Sequence, residues 1–161
     1  MINFQAIRNE IIGSLSSFLE IPVIDGNTVN KKPNYPYGSY VVTTLSSKEF
    51  ENPREIDFTN TVNTRKEDLT MTISFNFYGL SLDDANLKAF KALEYFEFYE
   101  TLSESDSKIV VVNTTDVQNR DVLLVDQRER RAGFDVIFRV ESVLTKAITN
   151  IDDFEYTLTT K

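Results

Sequence analysis

Leu69, Met71, Ile73, Phe75 and Phe77 alternate with Thr70, Thr72, Ser74, Asn76 and Tyr78, so every second side chain of this run is apolar. A period of two belongs to an extended strand with one face on a core and the other on polar surroundings. Gly79 ends the run, and Ser81-Leu82-Asp83-Asp84 opens a helix. Ser81 is a natural N-cap, and the two aspartates suit the positive end of the helix dipole. Ala85, Ala89, Ala92, Leu93 and Phe96 mark its packed face through about Glu100. Leu87, Phe90 and Phe98 widen that face, which suggests contacts beyond the helix's own sheet.

Upstream, Phe4, Ile7, Ile11, Leu15, Phe18 and Leu19 recur at spacings of three and four and predict an amphipathic helix over Phe4–Leu19. Asn3 serves as its N-cap, and Pro22 ends it by about Glu20. Gly13, inside the pattern, costs about 1 kcal/mol relative to alanine and suggests a close packing contact. Residues 21–38 are turn-rich, with Pro33 and Pro36 interleaved with Tyr35 and Tyr37 in a segment expected to be extended. Ser39–Leu45 reads as a strand. Phe50–Lys66 is polar, without a clear period, and is expected to be a long loop or a β-arm in which Ile56–Phe58 pairs with part of Thr59–Thr64.

Downstream, Ile109–Val112 and Val122–Val125 are short apolar runs. A hairpin at Arg128–Gly133 is expected to lead into a strand in which Phe134, Val136, Phe138 and Val140 face the core, and Phe154, Tyr156 and Leu158 suggest a last strand. The fold class expected is α+β: a single domain spanning 1–161, with a largely antiparallel β-sheet flanked by two main α-helices.

The chain has 161 residues, 41% hydrophobic and 26% charged, which is a globular composition long enough for its own core. It contains no cysteine and no histidine. Disulfides, thiol catalysis, His-based triads and the commonest metal ligand are thereby excluded. Its 17 basic and 25 acidic residues leave a net charge of −8, which gives no general affinity for phosphate backbones or anionic lipid. Met1–Leu19 has neither the basic start nor the apolar centre of a signal peptide, and no run of 18 apolar residues suggests a membrane span. The five glycines form no phosphate-binding loop, and no carboxylate spacing singles out a catalytic pair or a calcium loop. No catalytic residue, metal site or cofactor is expected.

Two clusters stand out from this background. Arg128, Arg130 and Arg131, with Arg120 and Arg139 nearby, are either a solvated hairpin end paired with local carboxylates or an intersubunit contact. Tyr35, Tyr37 and Tyr40 either pack over the domain's own sheet edge or belong to an assembly surface.

The order of elements, with Ile21-Pro22-Val23-Ile24, Lys32-Pro33-Asn34-Tyr35-Pro36-Tyr37 running into Ser39-Tyr40-Val41-Val42, the Leu69–Phe77 strand, the Leu82–Tyr99 helix and Arg128-Glu129-Arg130-Arg131-Ala132-Gly133-Phe134-Asp135-Val136, resembles the neck or tail-terminator proteins of tailed bacteriophages and related particles. The Pro-x-x-Pro-Tyr segment and the Arg-Arg-x-x-Phe-Asp-Val strand carry the resemblance. It implies a structural protein of the virion neck, assembled in the bacterial cytoplasm. It further implies a homo-oligomeric ring, hexameric in that family, that caps the tail tube, stops its polymerisation and offers a joining surface to the head. The implied partners are copies of itself, the tail tube protein, head–tail connector proteins and the sheath terminus; DNA only passes through, and no membrane is involved. By the same analogy, Tyr35, Pro36, Tyr37, Arg54, Phe58, Arg65, Arg128, Arg130 and Arg131 are expected at ring or tube contacts. Other readings are a different connector, tail-completion or tube protein, or a small carboxylate-dependent hydrolase. For a ring that passes DNA, the carboxylates are expected to cluster on one surface, the bore, where like-charge repulsion keeps the duplex sliding.

Overall fold

The computed structural model describes residues 3–28, 32–48, 55–59, 62–99, 109–124 and 128–147. Its elements are α1 (Phe4–Leu19), β1 (Val23–Asp25), β2 (Tyr37–Lys48), β3 (Glu55–Thr59), β4 (Val62–Gly79), α2 (Leu82–Glu94), a π-helical turn (Tyr95–Tyr99), β5 (Ile109–Thr114), β6 (Gln118–Asn119), β7 (Val122–Leu123) and β8 (Arg128–Ala147). The main sheet order is β1-β2-β4-β8-β5, and every pairing is antiparallel except β1 with β2. Two helices and a mostly antiparallel sheet make this the expected α+β fold.

The long strands β4 and β8 are the centre of the sheet, paired without a register break from Val62↔Ala147 to Gly79↔Arg130. Both have other strands along their far edges. On β4, β2 runs as far as the Lys48↔Leu69 pair, and β3 takes over from Glu55↔Lys66. On β8, β7, β6 and β5 follow one another up to the Ile109↔Val140 pair.

The period-two pattern of β4 now has a partner. Phe75 pairs with Phe134, Ile73 with Val136, Met71 with Phe138 and Phe77 with Ala132, so the apolar halves of both strands share one face. Tyr40 of β2 extends that face beside Phe75. Ile11, Leu15 and Leu19 of α1 and Ala85, Ala89 and Ala92 of α2 close over it. The small α2 residues let the helix lie close to the sheet, and Phe96 from the π-helical turn fills the centre. Its ring lies 5.1 Å from Phe75, 5.6 Å from Phe138 and 6.2 Å from Phe134, the last two edge-on. Edge-to-face pairs of this kind add about 0.5–1.5 kcal/mol each beyond the area they bury.

The helix ends follow local chemistry. The Asn3 side chain accepts from the Ala6 amide at 3.1 Å, and the Ser81 hydroxyl accepts from the Asp84 amide at 3.1 Å. At the other end of α1, Glu20 takes a left-handed conformation (φ 56°), and the Ser16 hydroxyl donates to the Ile21 carbonyl. That turn brings the chain into β1.

Four expectations change. Gly13 does not mark a close contact, because a methyl group there would meet no neighbouring atom within 4 Å. The second helix is α-helical only to Glu94 and then widens into the π-helical turn, where successive residues Tyr95 and Phe96 are both buried. Arg128–Gly133 is not a hairpin: these residues are the first third of the unbroken strand β8, and Val122 and Leu123 pair back onto Glu129 and Arg128. The strand expected at Ser39–Leu45 is longer, and the extended segment before it includes β1, laid parallel to β2. The strand expected around Phe154–Leu158 lies outside the described residues.

Because Phe96 touches three rings of the sheet and is fully buried, Phe96→Ala should cost about 3–5 kcal/mol, the range for emptying a core aromatic site. Chemical denaturation should show this as a lower midpoint with an unchanged slope.

Candidate functional site: a polar face and a projecting ribbon

The face of the sheet opposite the helices carries the polar halves of the same strands. Its rows across β2, β4 and β8 are Tyr37–Tyr78–Arg131, Ser39–Asn76–Gly133 and Val41–Ser74–Asp135. The first row is an aromatic stack. Tyr37 lies on Tyr78 at 4.5 Å with the rings 10° from parallel, and Tyr35 stacks on Tyr37 at 5.5 Å. Tyr37 is 2% exposed and Tyr35 39%, so the stack runs from the sheet to the surface. Burial pushes the Tyr37 hydroxyl well above the usual tyrosine range, and nearby Glu129 adds to the shift. The phenol is therefore neutral and acts as packing with a polar tip. Pro36, between the two stacked rings, follows a cis peptide bond. Lys32 reaches the same end: its ammonium donates to Glu129 at 2.6 Å and lies 6.0 Å from the centre of the Tyr78 ring.

The second and third rows carry an ion-pair network over a glycine. Arg120 donates to Ser74 Oγ at 2.8 Å, to Asp135 Oδ1 at 3.0 Å and to Asn76 Oδ1 at 3.3 Å. Ser74 in turn donates to Asp135. The Arg120 guanidinium occupies the space that a side chain at position 133 would take. A methyl group on Gly133 would overlap the Phe75 carbonyl oxygen and come within 2.7 Å of Asn76 Oδ1 and 3.1 Å of Arg120 Nη1. Burial alone would raise the Asp135 pKa, but the hydrogen bonds from Ser74 and Arg120 and the charge of Arg120 hold it below the usual carboxylate range.

Arg130 and Arg131 of β8 are engaged with the segment just before β7. Arg130 donates to Asp121 Oδ2 at 2.8 Å, the Arg131 amide donates to Asp121 Oδ1 at 2.9 Å, and Arg131 Nε donates to the Arg120 carbonyl. For Asp121 too, burial acts upward and is outweighed by the Arg131 amide and Arg130. Arg128 is exposed at the start of the strand. Pairing with a local carboxylate thus describes the Arg130 side chain, whereas the Arg131 side chain is held by a backbone carbonyl.

The residues singled out in the sequence separate into two groups. Tyr35, Pro36, Tyr37, Arg128, Arg130 and Arg131 lie around one end of β4 and β8. Phe58 and Arg65 lie on the ribbon at the other end, where β3 pairs with β4 and Phe58 is opposite Asn63. Gly79 and Arg65 are 14 positions apart on β4, about 45 Å at the rise of an extended strand. Arg54 lies outside the described residues. Tyr40 parts from the other two tyrosines: its side chain points to the helix side and joins the core.

The ribbon is β3, the first part of β4 and the last part of β8. The Arg65 guanidinium pairs with Glu67. On the helix side of the sheet, Ile56, Arg65 and Leu144 form one row, and with Asn63, Thr145 and Lys146 they line a shallow depression of about 270 Å³. The apolar cluster under the helices reaches Met71 and Phe138, and on β8 the buried face continues through Val140 and Ser142 before Leu144 is exposed.

Sequence reasoning missed the Arg120–Ser74–Asp135 network and the Lys32–Glu129 pair. Gly133 was the available signal, since a lone glycine inside a strand pattern marks close approach by another group. Among the described residues, neither the polar face nor the ribbon forms a cleft with converging titratable groups. Among the described residues, no cluster of carboxylates could hold a metal ion, and no helix is long and apolar enough to cross a membrane.

Gly133→Ala should destabilise by about 1–3 kcal/mol, the overpacking range, because the obstructing atom is a backbone carbonyl that cannot turn aside. Thermal or chemical denaturation checks this directly. Asp121 and Asp135 have folded pKa values below their unfolded ones, so their contribution is present above the unfolded value of about 4 and is lost as pH falls through the folded values. Stability should fall below about pH 4, with a shallower slope in Asp135→Asn; an unchanged slope would contradict the network.

No curated protein matches the chain. A family model does, over residues 5–161, and its description is phage neck terminator protein. That span takes in α1, the whole sheet, the polar face and the ribbon. A match over nearly the whole chain, on a sheet flanked by two helices whose distinctive surfaces are locked networks and a projecting ribbon, identifies a structural protein of the phage neck: the chain belongs to the phage neck terminator family.

Proposed function

We propose that the chain, as one terminator-like domain over 1–161, assembles into a ring that caps the tail tube, ends its polymerisation and presents the surface to which the head or its connector joins. The observation that carries this reading is the family match across residues 5–161. The fold is consistent with it in a physical way. Arg120, Asp135, Arg130, Asp121 and Glu129 are engaged in bonds that tie β8 to the segments beside it, which makes a stiff surface suited to recognition. The protein acts without catalysis, metal or cofactor.

The partners in this proposal are other copies of the chain, six to a ring by analogy with the family, the tail tube protein, connector proteins and the sheath terminus. Tyr35, Pro36, Tyr37, Arg54, Phe58, Arg65, Arg128, Arg130 and Arg131 are the proposed contact residues, and the ribbon and the Tyr35 end of the sheet serve different contacts because they lie at opposite ends of β4. The net charge of −8 is assigned to a negative bore through which DNA slides without specific binding. Assembly takes place in the bacterial cytoplasm.

Native mass measurement tests the ring. A species near six times the 18.5 kDa chain is expected, together with short rings seated on tail-tube ends in negative-stain images. A persistent monomer that binds no tube end would contradict the proposal, and long filaments of the purified chain would identify a tube protein instead.

A further inference from the structure

Two shallow depressions lie at opposite lateral margins of the sheet, both lined by helix-side residues. The first, about 180 Å³, is lined by Phe4, Gln5 and Arg8 of α1 and by Val42, Leu45 and Met71. Arg8 is half-buried there and forms no ion pair among the described residues, and its Nε is buried without a hydrogen-bond partner. An unmatched buried donor on a charged group is costly, and native structures rarely leave one without an acceptor. The first turn of α1 holds no acidic residue to supply it. The second depression, about 230 Å³, lies where the π-helical turn meets β5 and is lined by Phe96, Glu97 and Val111–Thr114. Glu97 is exposed and accepts from the Thr114 hydroxyl through Oε1, which leaves Oε2 for a further donor. Each depression also has an exposed apolar side chain: Leu45 at the first, 61% exposed, and at the second Val112, 47% exposed, the extra residue at a break in the β5 register.

We propose that the Arg8 margin of one copy receives the Glu97 margin of the next, with Arg8 donating to Glu97 and Val112 packing on Leu45. Charge selects this pairing: a cation that lacks an acceptor meets a carboxylate that has an oxygen to give. Height along the strands selects it as well. Rows across the sheet join the two margins at one level, as Val42–Ile73–Val136–Thr114 and Thr44–Thr72–Ile137–Asn113. A rotation about an axis roughly along the strands, with no translation, therefore carries one margin onto the other, as a closed ring requires. The contact is heterologous, using two different surfaces, and such contacts close into rings when the rotation allows. A two-fold contact of either margin with itself would set Arg8 against Arg8 or Glu97 against Glu97. In the proposed contact, the exposed apolar side chains of both margins are covered together.

This inference rests on the ring reading above and names the surfaces that would build it. In the full-length chain, Arg8→Glu and Glu97→Arg should each raise the concentration needed for ring formation more than about tenfold, because each sets like charges together at every contact. An equimolar mixture of the two variants should recover the ring, since alternating copies again pair opposite charges, and so should the chain carrying both substitutions. A second measurement does not depend on how well the charge variants fold. The chain has no cysteine, so introduced thiols report without background. Within one chain, Leu45 and Val112 are separated by β4 and β8, about 14 Å at the usual strand spacing, which is beyond the reach of a disulfide. Under mild oxidation, a mixture of Leu45→Cys and Val112→Cys should give covalent dimer well in excess of either variant alone. Self-cross-linking of Leu45→Cys or Val112→Cys to the same extent as the mixture would overturn the proposal in favour of a two-fold contact. A ring that survives both single charge variants and gives no Leu45→Cys with Val112→Cys cross-link would also overturn it, with the ring reading intact. An unsubstituted chain that stays monomeric fails at the earlier step, because it contradicts the ring itself.

Discussion

Backbone hydrogen bonding between β4 and β8 holds 18 consecutive residue pairs in one register, and the rest of the structure is arranged along it. A shift of one residue would turn every side chain of one strand to the opposite face. Phe75 and Phe134 would no longer share the helix side, and Ser74 and Asp135 would no longer meet beneath Arg120. Core and polar face are therefore two consequences of one alignment. The aromatic packing around Phe96 holds it from the helix side, and the Arg120 network bridges the same pair of strands from the other.

The ladder outlasts the core that stabilises it. Helix-packed apolar residues cover it from Met71 and Phe138 towards Gly79 and Arg130; on β8 burial continues to Val140 and Ser142, and the same strands go on as a ribbon with β3. In the ring proposed above, this ribbon is one of the two ends of the sheet assigned to contacts with other subunits or the tube. The polar face at the other end has the opposite character. Arg130, Arg131 and Glu129 are already bonded within the chain, and the aromatic stack is buried at Tyr37 and open only at Tyr35.

How much of this could be read in the amino acids depends on whether each element is specified locally. The alternation of Leu69–Tyr78, the spacing in Phe4–Leu19 and the caps Asn3 and Ser81 are short-range patterns, and the structure follows them closely. Arg128–Gly133 misled because a charge-rich run ending in glycine has the composition of a turn. The bonds that make it a strand are backbone pairings with Asn76–Gly79 of β4 and with β6 and β7, and its charged side chain Glu129 is met by Lys32, 97 positions away. Glycine at 133 was a correct sign of something close by, although only the fold reveals that the close groups are a carbonyl and a guanidinium. Similarly, Tyr35, Tyr37 and Tyr40 look alike in sequence, and strand parity alone sends Tyr40 into the core and Tyr37 to the polar face.

Amide hydrogen exchange resolved along β4 and β8 tests most directly the account in which one ladder builds the core at one end and, in the proposed ring, a contact surface at the other. In the dissociated chain, slow exchange is expected for Met71–Gly79 and Arg130–Phe138, with much faster exchange in Val62–Asp68 and Glu141–Ala147. On assembly, protection should rise in the ribbon while the core changes little. Uniform protection along the whole ladder in the free chain, or a ribbon that exchanges equally fast before and after assembly, would contradict the account.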